Sequence, residues 1–118
     1  MARVGLIGFG YLGSFVYEQM STRPELGLDV AFVYNRSVER LQDVHPEHIL
    51  GDLQNFAERE PDLVVELAHP DISRQFGSAF LACAHYMPLS LTCLADADLE
   101  RSLLDTAADN GTRLCVPH

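Results

Sequence analysis

The sequence predicts an α/β fold, a parallel sheet with helices packed on both of its faces. Short apolar runs alternate along the chain with segments whose apolar residues recur at helical spacing. The short runs are apolar on both faces, as strands covered by helices on either side must be. The chain has 118 residues, of which 47% are hydrophobic and 21% are charged, and this suits a single domain with a buried core.

The first half of the chain predicts three strands and three helices. Residues 3–7 form an apolar run that stops at glycines, which is typical of a buried parallel strand. A helix follows over residues 11–21, and its apolar face is formed by Leu12, Phe15, Val16 and Met20. The remaining elements are a strand over 29–34, a short helix over 37–42, a weak strand over 48–50 and a short helix over 52–59.

The second half predicts three strands and two helices. Residues 63–67 form a strand, and Asp71 is expected to cap the next helix, whose apolar positions are Ile72, Phe76, Ala79, Phe80 and Cys83. A fifth strand spans residues 87–91. Asp96 or Asp98 caps a helix that ends at Asn110-Gly111 with a left-handed residue, and residues 113–116 form the sixth strand.

The alternation of strands and helices restricts the topology. Right-handed crossovers between parallel strands leave few arrangements open. About six strands fit two βαβαβ halves in the order 3-2-1-4-5-6, with helices on both faces. The predicted architecture is therefore a Rossmann-like doubly wound sheet, with residues 1–118 as one domain.

A glycine motif marks the turn between the first strand and the first helix. Residues 8–13 read Gly-Phe-Gly-Tyr-Leu-Gly, a G-x-G-x-x-G pattern in the context where it indicates dinucleotide binding. Its first glycine permits a tight turn, its second lets a pyrophosphate approach the backbone, and its third lets the helix pack closely. The helix N-terminus supplies partial positive charge for the phosphates. We predict cofactor contacts from Gly8, Gly10, Tyr11, Leu12 and Gly13.

The end of the second strand bears on the choice of cofactor. NAD-specific sites usually place an acidic residue here to bind the ribose 2′-hydroxyl, whereas this strand ends Tyr34-Asn35-Arg36. Asn35 can bond a 2′-hydroxyl, and Arg36 can stack on adenine or pair with a 2′-phosphate. Alternatively, Arg36 and Arg40 are solvated surface groups. The pattern favours NADP and leaves NAD open.

The segment after the fourth strand lies where ligands of parallel sheets bind. Ala68 and His69 are predicted to contact the cofactor near its nicotinamide ribose, and His69 could also act as an acid or base. Alternatively, the His69 ring organises the turn before the next helix. Glu66 is expected to bond neighbouring backbone N–H groups. Cys93, after the fifth strand, is expected to be a packed thiol.

Charge and cysteine content exclude several functions. Seventeen acidic and eight basic residues give a formal charge of −9, and every basic residue is an arginine. This argues against nucleic-acid or anionic-membrane binding and excludes lysine chemistry. Three cysteines without a C-x-x-C pattern, and no signal-peptide pattern, suit a cytoplasmic protein. His45, Glu47 and His48 lack the spacing of a metal site, so we predict none.

Four segments of the sequence resemble a known family. They are residues 4–13, 24–28, 32–36 and 61–70, the last reading Pro-Asp-Leu-Val-Val-Glu-Leu-Ala-His-Pro, and they resemble the animal aspartate dehydrogenase domain-containing proteins. The resemblance covers nearly the whole chain but loosens after Met87, where residues 90–95 replace the expected small-residue loop. It implies NAD(P)-dependent oxidative deamination of L-aspartate to iminoaspartate and oxaloacetate, linked in microbial relatives to NAD biosynthesis.

The resemblance also implies roles for individual residues. The phosphate-loop role falls to Gly8, Gly10 and Gly13, and the adenosine-ribose role to Asn35 and Arg36. The family's catalytic histidine and most of its substrate-binding groups belong to a C-terminal substrate domain that this chain lacks. We therefore assign no catalytic residue and expect the 118-residue chain alone to be inactive. An amino-acid substrate would bind only with the missing domain.

Two other functions remain open. The chain could be a non-catalytic NAD(P)-binding or regulatory module, or a truncated form that mainly self-associates. The apolar surface beside the sixth strand, which a second domain would cover, predicts a homo-oligomer.

Overall fold

A computed structural model describes residues 2–90 and 95–116. Its strands are β1 (Ala2–Ile7), β2 (Leu28–Tyr34), β3 (Leu63–Glu66) and β4 (His85–Pro88). Its α-helices are α1 (Tyr11–Thr22), α2 (Asp71–Leu81) and α3 (Ala97–Asn110). Short 3-10 helices occupy Pro24–Leu26, Val38–Leu41, Pro46–His48 and Leu53–Arg59. Within the described ranges, no helix is both long enough and apolar enough to cross a membrane.

The four strands form a parallel sheet in the order β2-β1-β3-β4. This is the predicted order of the four central strands, and the Rossmann-like α/β prediction is confirmed. The prediction of about six strands is wrong for the described residues. Each outer segment makes a single parallel bridge, from Ile49 to Val33 and from Leu114 to Tyr86. The 3-10 helix Pro46–His48 ends directly before Ile49 and leaves too few extended residues for a strand there.

The fifth predicted strand begins earlier than the sequence indicated. β4 covers His85–Pro88, whereas the prediction was 87–91, and residue 91 lies outside the described part of the chain. The pairing with β3 explains the shift, because His85 lies opposite Leu63, at the start of β3. The His85 N–H also donates to the Asp62 carbonyl at 2.9 Å and so extends this register towards the N-terminus.

The strands contribute residues to two hydrophobic cores, one on each face of the sheet. On one face, Phe80 of α2 and Leu103 of α3 join Phe32 and Tyr86 of the sheet in one core, and all four are fully buried. On the other face, α1 packs over Val4 and Leu6 of β1 through Tyr17 and Met20. Helices therefore cover both faces, as the two-sided apolar strands require.

The buried face of α1 agrees with the prediction at Val16 and Met20 but not at Leu12 and Phe15. Leu12 and Phe15 are about half exposed (50% and 51%), whereas Gly13, Tyr17 and Met20 are buried. A side chain at position 13 would overlap the Gly8 carbonyl oxygen, so this face lies directly against the turn after β1. Tyr17 and Met20 follow Gly13 at i+4 and i+7 and share its face. Close backbone contact, rather than the hydrophobicity of the helix, sets its orientation.

The helix ends also show one error and two confirmed predictions. Asp71 does not cap α2, because Pro70 holds the N-cap position and Asp71 is the first helical residue. Asp96 caps α3 by accepting bonds from the N–H groups of Asp98 and Leu99. Gly111 ends α3 with the predicted left-handed conformation, at φ 67°. Cys83, predicted on the buried face of α2, lies beyond its end and is exposed.

Candidate functional site

The carboxyl ends of the strands border a cavity of about 690 Å³. This is the edge at which parallel sheets bind ligands, and small-molecule pockets span about 300–1,000 Å³. The cavity lies between the ends of β1 and β2, the segment after Leu50, and the start of α2. The predicted cofactor-binding residues that line it are Gly8, Asn35, Arg36, Ala68 and His69.

The glycine loop turns sharply as it leaves β1. Gly8 has φ +102°, and a side chain there would meet the Leu67 backbone at 2.9 Å. Its N–H donates to the Tyr34 carbonyl at 2.8 Å, which ties the loop to the end of β2. Nothing lies within 4 Å of where a Cβ of Gly10 would stand. The loop therefore has the tight turn and the open second glycine that the motif predicts.

The N-terminus of α1 lacks both a side-chain cap and an acidic residue in its first turn. The first N–H groups of the helix therefore keep the partial positive charge that favours anions. Gly10 is the N-cap residue, and Tyr11 is 92% exposed. Gly10, Tyr11, Leu12 and Gly13 form this helix start rather than the wall of the cavity. Their contact with a ligand stays a prediction.

At the end of β2, the two predicted cofactor residues differ in their surroundings. Arg36 is exposed and lines the cavity, whereas Arg40, in the 3-10 helix Val38–Leu41, is not part of its wall. Both ends of the Asn35 amide are engaged. Its Oδ1 accepts a bond from the Phe9 N–H at 2.9 Å, and its Nδ2 donates to the Ser37 carbonyl at 2.8 Å.

His69 lines the cavity and also organises the start of α2. Its Nδ1 accepts a hydrogen bond from the Asp71 N–H at 3.1 Å, so the proton of the neutral ring resides on Nε2. The Asp71 carboxylate, 3.4 Å from the same Nδ1, is therefore not an ion-pair partner of the neutral ring. The structure supports the turn-organising interpretation of this histidine. A cofactor contact through the rest of the ring stays a prediction.

Glu66 is a fully buried carboxylate that joins two loops at this end of the sheet. It accepts bonds from the Ala68 N–H at 2.6 Å, the Ser90 N–H at 3.0 Å and the Ser90 hydroxyl at 2.7 Å. The expectation that it bonds neighbouring N–H groups is confirmed. Three charge-assisted bonds offset the cost of burying the charge. Cys93, which was expected to be a packed thiol, lies outside the described residues.

The sequence interpretation missed two parts of the cavity wall. One is the segment after Leu50, and the other is the inner face of the first turns of α2; the residues are Gly51, Asp52, Leu53, Gln54, Ile72, Gln75 and Phe76. The first part could have been found, because a segment that leaves a parallel strand must emerge at this edge. The second required knowing which face of α2 meets the sheet.

A histidine near the opposite end of α1 fixes this helix to the chain after β2. The Tyr17 hydroxyl accepts a bond from the His45 N–H at 3.1 Å and shares a second hydrogen bond with His48 Nδ1, 2.8 Å away. Burial, and secondly the nearby His45, lower the pKa of His48 below its usual 6.5, against the weaker opposing effects of Glu47 and Asp29. A neutral His48 thus holds α1 in place.

Comparison with known protein families gives one match to nearly the whole chain. Residues 8–117 match the family described as "Homoserine dehydrogenase, NAD binding domain". The match begins at the first glycine of the loop and includes every residue of the cavity wall except Ile7.

Individual proteins are similar over the same length. The aspartate dehydrogenase domain-containing protein of Danio rerio is 41% identical over 98% of this chain and 42% of its own length. L-aspartate dehydrogenase 1 of Bordetella pertussis is 30% identical over 98% of this chain and 44% of its own. The chain thus spans less than half of each relative. The aspartate dehydrogenase structure from Thermotoga maritima has the same fold, with a TM-score of 0.74 at 19% identity, over 99% of this chain and 46% of that one.

Proposed function

The chain belongs to the NAD-binding domain family of homoserine dehydrogenase, and from this premise we propose that it binds a nicotinamide dinucleotide for the oxidation of L-aspartate. Two of its relatives, from Danio rerio and Bordetella pertussis, are both named for aspartate dehydrogenase. Because the chain spans less than half of each, the proposal assigns it the cofactor half of such an enzyme. The substrate-binding and catalytic groups would come from a further domain.

The observation that carries the proposal is the open space at Gly10, beside the uncapped N-terminus of α1. A pyrophosphate needs backbone N–H groups that no side chain covers, and this turn offers them. The cavity next to it has the size for an adenosine, with the apolar side chains of Ile72 and Phe76 on one wall. Arg36 and the polar groups of Asp52 and Gln54 lie on the other side.

A bound nicotinamide would accept the hydride from the Cα of aspartate, and the amino group would lose a proton to a base of the further domain or to water. The product is iminoaspartate, which water converts to oxaloacetate and ammonium. The residues of this chain contribute binding and orientation. Gly8 and Gly10 would fix the pyrophosphate, while Glu66 holds the loops of Ala68 and Ser90 at the side where the nicotinamide would lie.

We propose NADP as the preferred cofactor. The end of β2 carries no carboxylate to accept a bond from the ribose 2′-hydroxyl, and the guanidinium of Arg36 lies on the cavity wall. A guanidinium pairs well with a 2′-phosphate. NAD would bind through the same loop without this contact.

A non-catalytic NAD(P)-binding module is the second candidate, because the two features that carry the proposal, the open space at Gly10 and the uncapped start of α1, serve binding and not hydride transfer. A module of this kind would bind the dinucleotide equally well and lack turnover even when joined to the rest of its protein.

Titration of the 118-residue chain with NADPH, followed by the fluorescence of the reduced nicotinamide, tests the binding. We expect saturable binding that NADP displaces more effectively than NAD. Absence of saturable binding would overturn the proposal. Aspartate-dependent reduction of NADP by a version extended to the length of the relatives separates the enzyme from the non-catalytic module.

A further inference from the structure

Two hydrogen bonds tie the glycine loop to the end of β2. The Gly8 N–H donates to the Tyr34 carbonyl at 2.8 Å, and the Phe9 N–H donates to the Asn35 side-chain oxygen at 2.9 Å. The second bond holds the peptide unit between Gly8 and Phe9. Gly10, the N-cap of α1, follows directly after Phe9. The bond therefore constrains the part of the backbone that would face a pyrophosphate.

The side chain of Phe9 is fixed as well. It is 9% exposed and packs edge-on against the Tyr17 ring, with 5.8 Å between the ring centroids. Its side chain is held by α1 and its N–H by Asn35, so residue 9 has little freedom to turn. The conformation of the loop thus depends on a side chain from the neighbouring strand.

The other end of the Asn35 amide fixes its orientation. Nδ2 donates to the Ser37 carbonyl at 2.8 Å, so the oxygen must face the Phe9 N–H. A reversed amide would set N–H against N–H and oxygen against oxygen. A carboxylate at this position would keep the bond to Phe9 and face the Ser37 carbonyl with a like partial charge. The local geometry therefore calls for an amide rather than the acid usual in NAD-specific sites.

We propose that Asn35 is a positioning residue that sets the loop for the pyrophosphate, and that it does not read the ribose 2′-position. This rests on the proposed dinucleotide binding and reverses the sequence interpretation, in which Asn35 bonds the 2′-hydroxyl. Of Asn35 and Arg36, only Arg36 then discriminates between NADP and NAD. Pyrophosphate binding and 2′-phosphate recognition are separate functions of adjacent side chains.

Three ligands separate these functions: NAD, NADP and adenosine 2′-monophosphate, which carries the 2′-phosphate but no pyrophosphate. In calorimetric titrations, Asn35→Ala should weaken NAD and NADP by the same factor, about tenfold for one lost bond to the loop. Its affinity for adenosine 2′-monophosphate should be unchanged. Arg36→Ala is the matched control with the opposite pattern, since it should weaken NADP and adenosine 2′-monophosphate and spare NAD.

Two results would overturn the inference: unchanged NAD affinity in Asn35→Ala, or an equal loss for adenosine 2′-monophosphate. A wild-type chain that binds neither dinucleotide would instead overturn the proposed function. Amide exchange measured by NMR supplies a test that needs no ligand. The Phe9 N–H should exchange slowly in the wild type and faster in Asn35→Ala or Asn35→Ser. Fast exchange in the wild type would refute the bond to Asn35 whether or not a variant folds.

Discussion

Glu66→Gln is expected to lower the free energy of unfolding by about 1–3 kcal/mol, the cost of one buried N–H left without an acceptor. In the wild type, one carboxylate oxygen serves the Ala68 N–H and the Ser90 hydroxyl, and the other serves the Ser90 N–H. A glutamine has the same shape but places an NH₂ group where one of these oxygens was. In either orientation, one backbone N–H faces another N–H.

Two further variants calibrate this value. Glu66→Ala removes all three bonds and leaves a cavity, so its loss should be larger, about 3–5 kcal/mol. Ser90→Ala removes the hydroxyl bond to the carboxylate alone and should cost about 1.5–3 kcal/mol. Urea unfolding followed by circular dichroism measures each loss, with the m-value as a check that the unfolding transition is unchanged. If the free energy of unfolding of Glu66→Gln lies within 0.5 kcal/mol of the wild-type value (about the error of such a comparison), the claim that Glu66 holds the two loops together is refuted.

Four further expectations concern Arg36, His48 and the behaviour of the chain on its own. Arg36→Ala should weaken NADP by about 1–3 kcal/mol more than NAD, and equal losses in calorimetry would show that the side chain only stacks on adenine. Because the pKa of His48 is lowered in the folded state, its stabilising contribution is complete above its unfolded value of 6.5 and is lost as the pH falls from there through the lower pKa of the folded state. Lowering the pH from about 8 to about 5.5 should therefore lower the urea midpoint of the wild type more than that of His48→Gln. Equal decreases in the two proteins would contradict this. The chain alone should not reduce NADP with L-aspartate, and it should self-associate through the apolar surface beside residues 113–116, where Val116 is exposed. Turnover, or light scattering of a monomer at every protein concentration, would contradict these two expectations.

The sequence predicts the central sheet and the glycine loop because both depend on local patterns. The first strand, the G-x-G-x-x-G turn and the helix start at Tyr11 agree with the structure to within a residue. Buried parallel strands must be apolar on both faces, and a tight turn with φ +102° at residue 8 requires glycine. Such constraints act over a few residues and are readable in the chain.

The features that the sequence did not predict depend on contacts between distant segments. The buried face of α1 follows from the approach of Gly13 to the Gly8 carbonyl. The sequence suggested a face that includes Leu12 and Phe15, because both are apolar, but both are about half exposed. The role of Asn35 depends on where the Phe9 N–H lies, 26 residues earlier in the chain. Residues 51–54 join the site only because the bridge from Ile49 to Val33 brings them there.

Calorimetric titration of NADP into the wild type and Gly10→Val tests the central claim, that the turn after β1 binds a dinucleotide. Beyond its chain neighbours, a Cβ at position 10 meets no atom within 4 Å, so Gly10→Val should stay folded and lose only about 1 kcal/mol, the cost of valine at an N-cap. Gly13→Val, whose side chain would overlap the Gly8 carbonyl, should lose stability and serves as the contrast. We predict that the wild type binds NADP and that Gly10→Val, though folded, does not. Equal NADP affinity in the two proteins would contradict the claim.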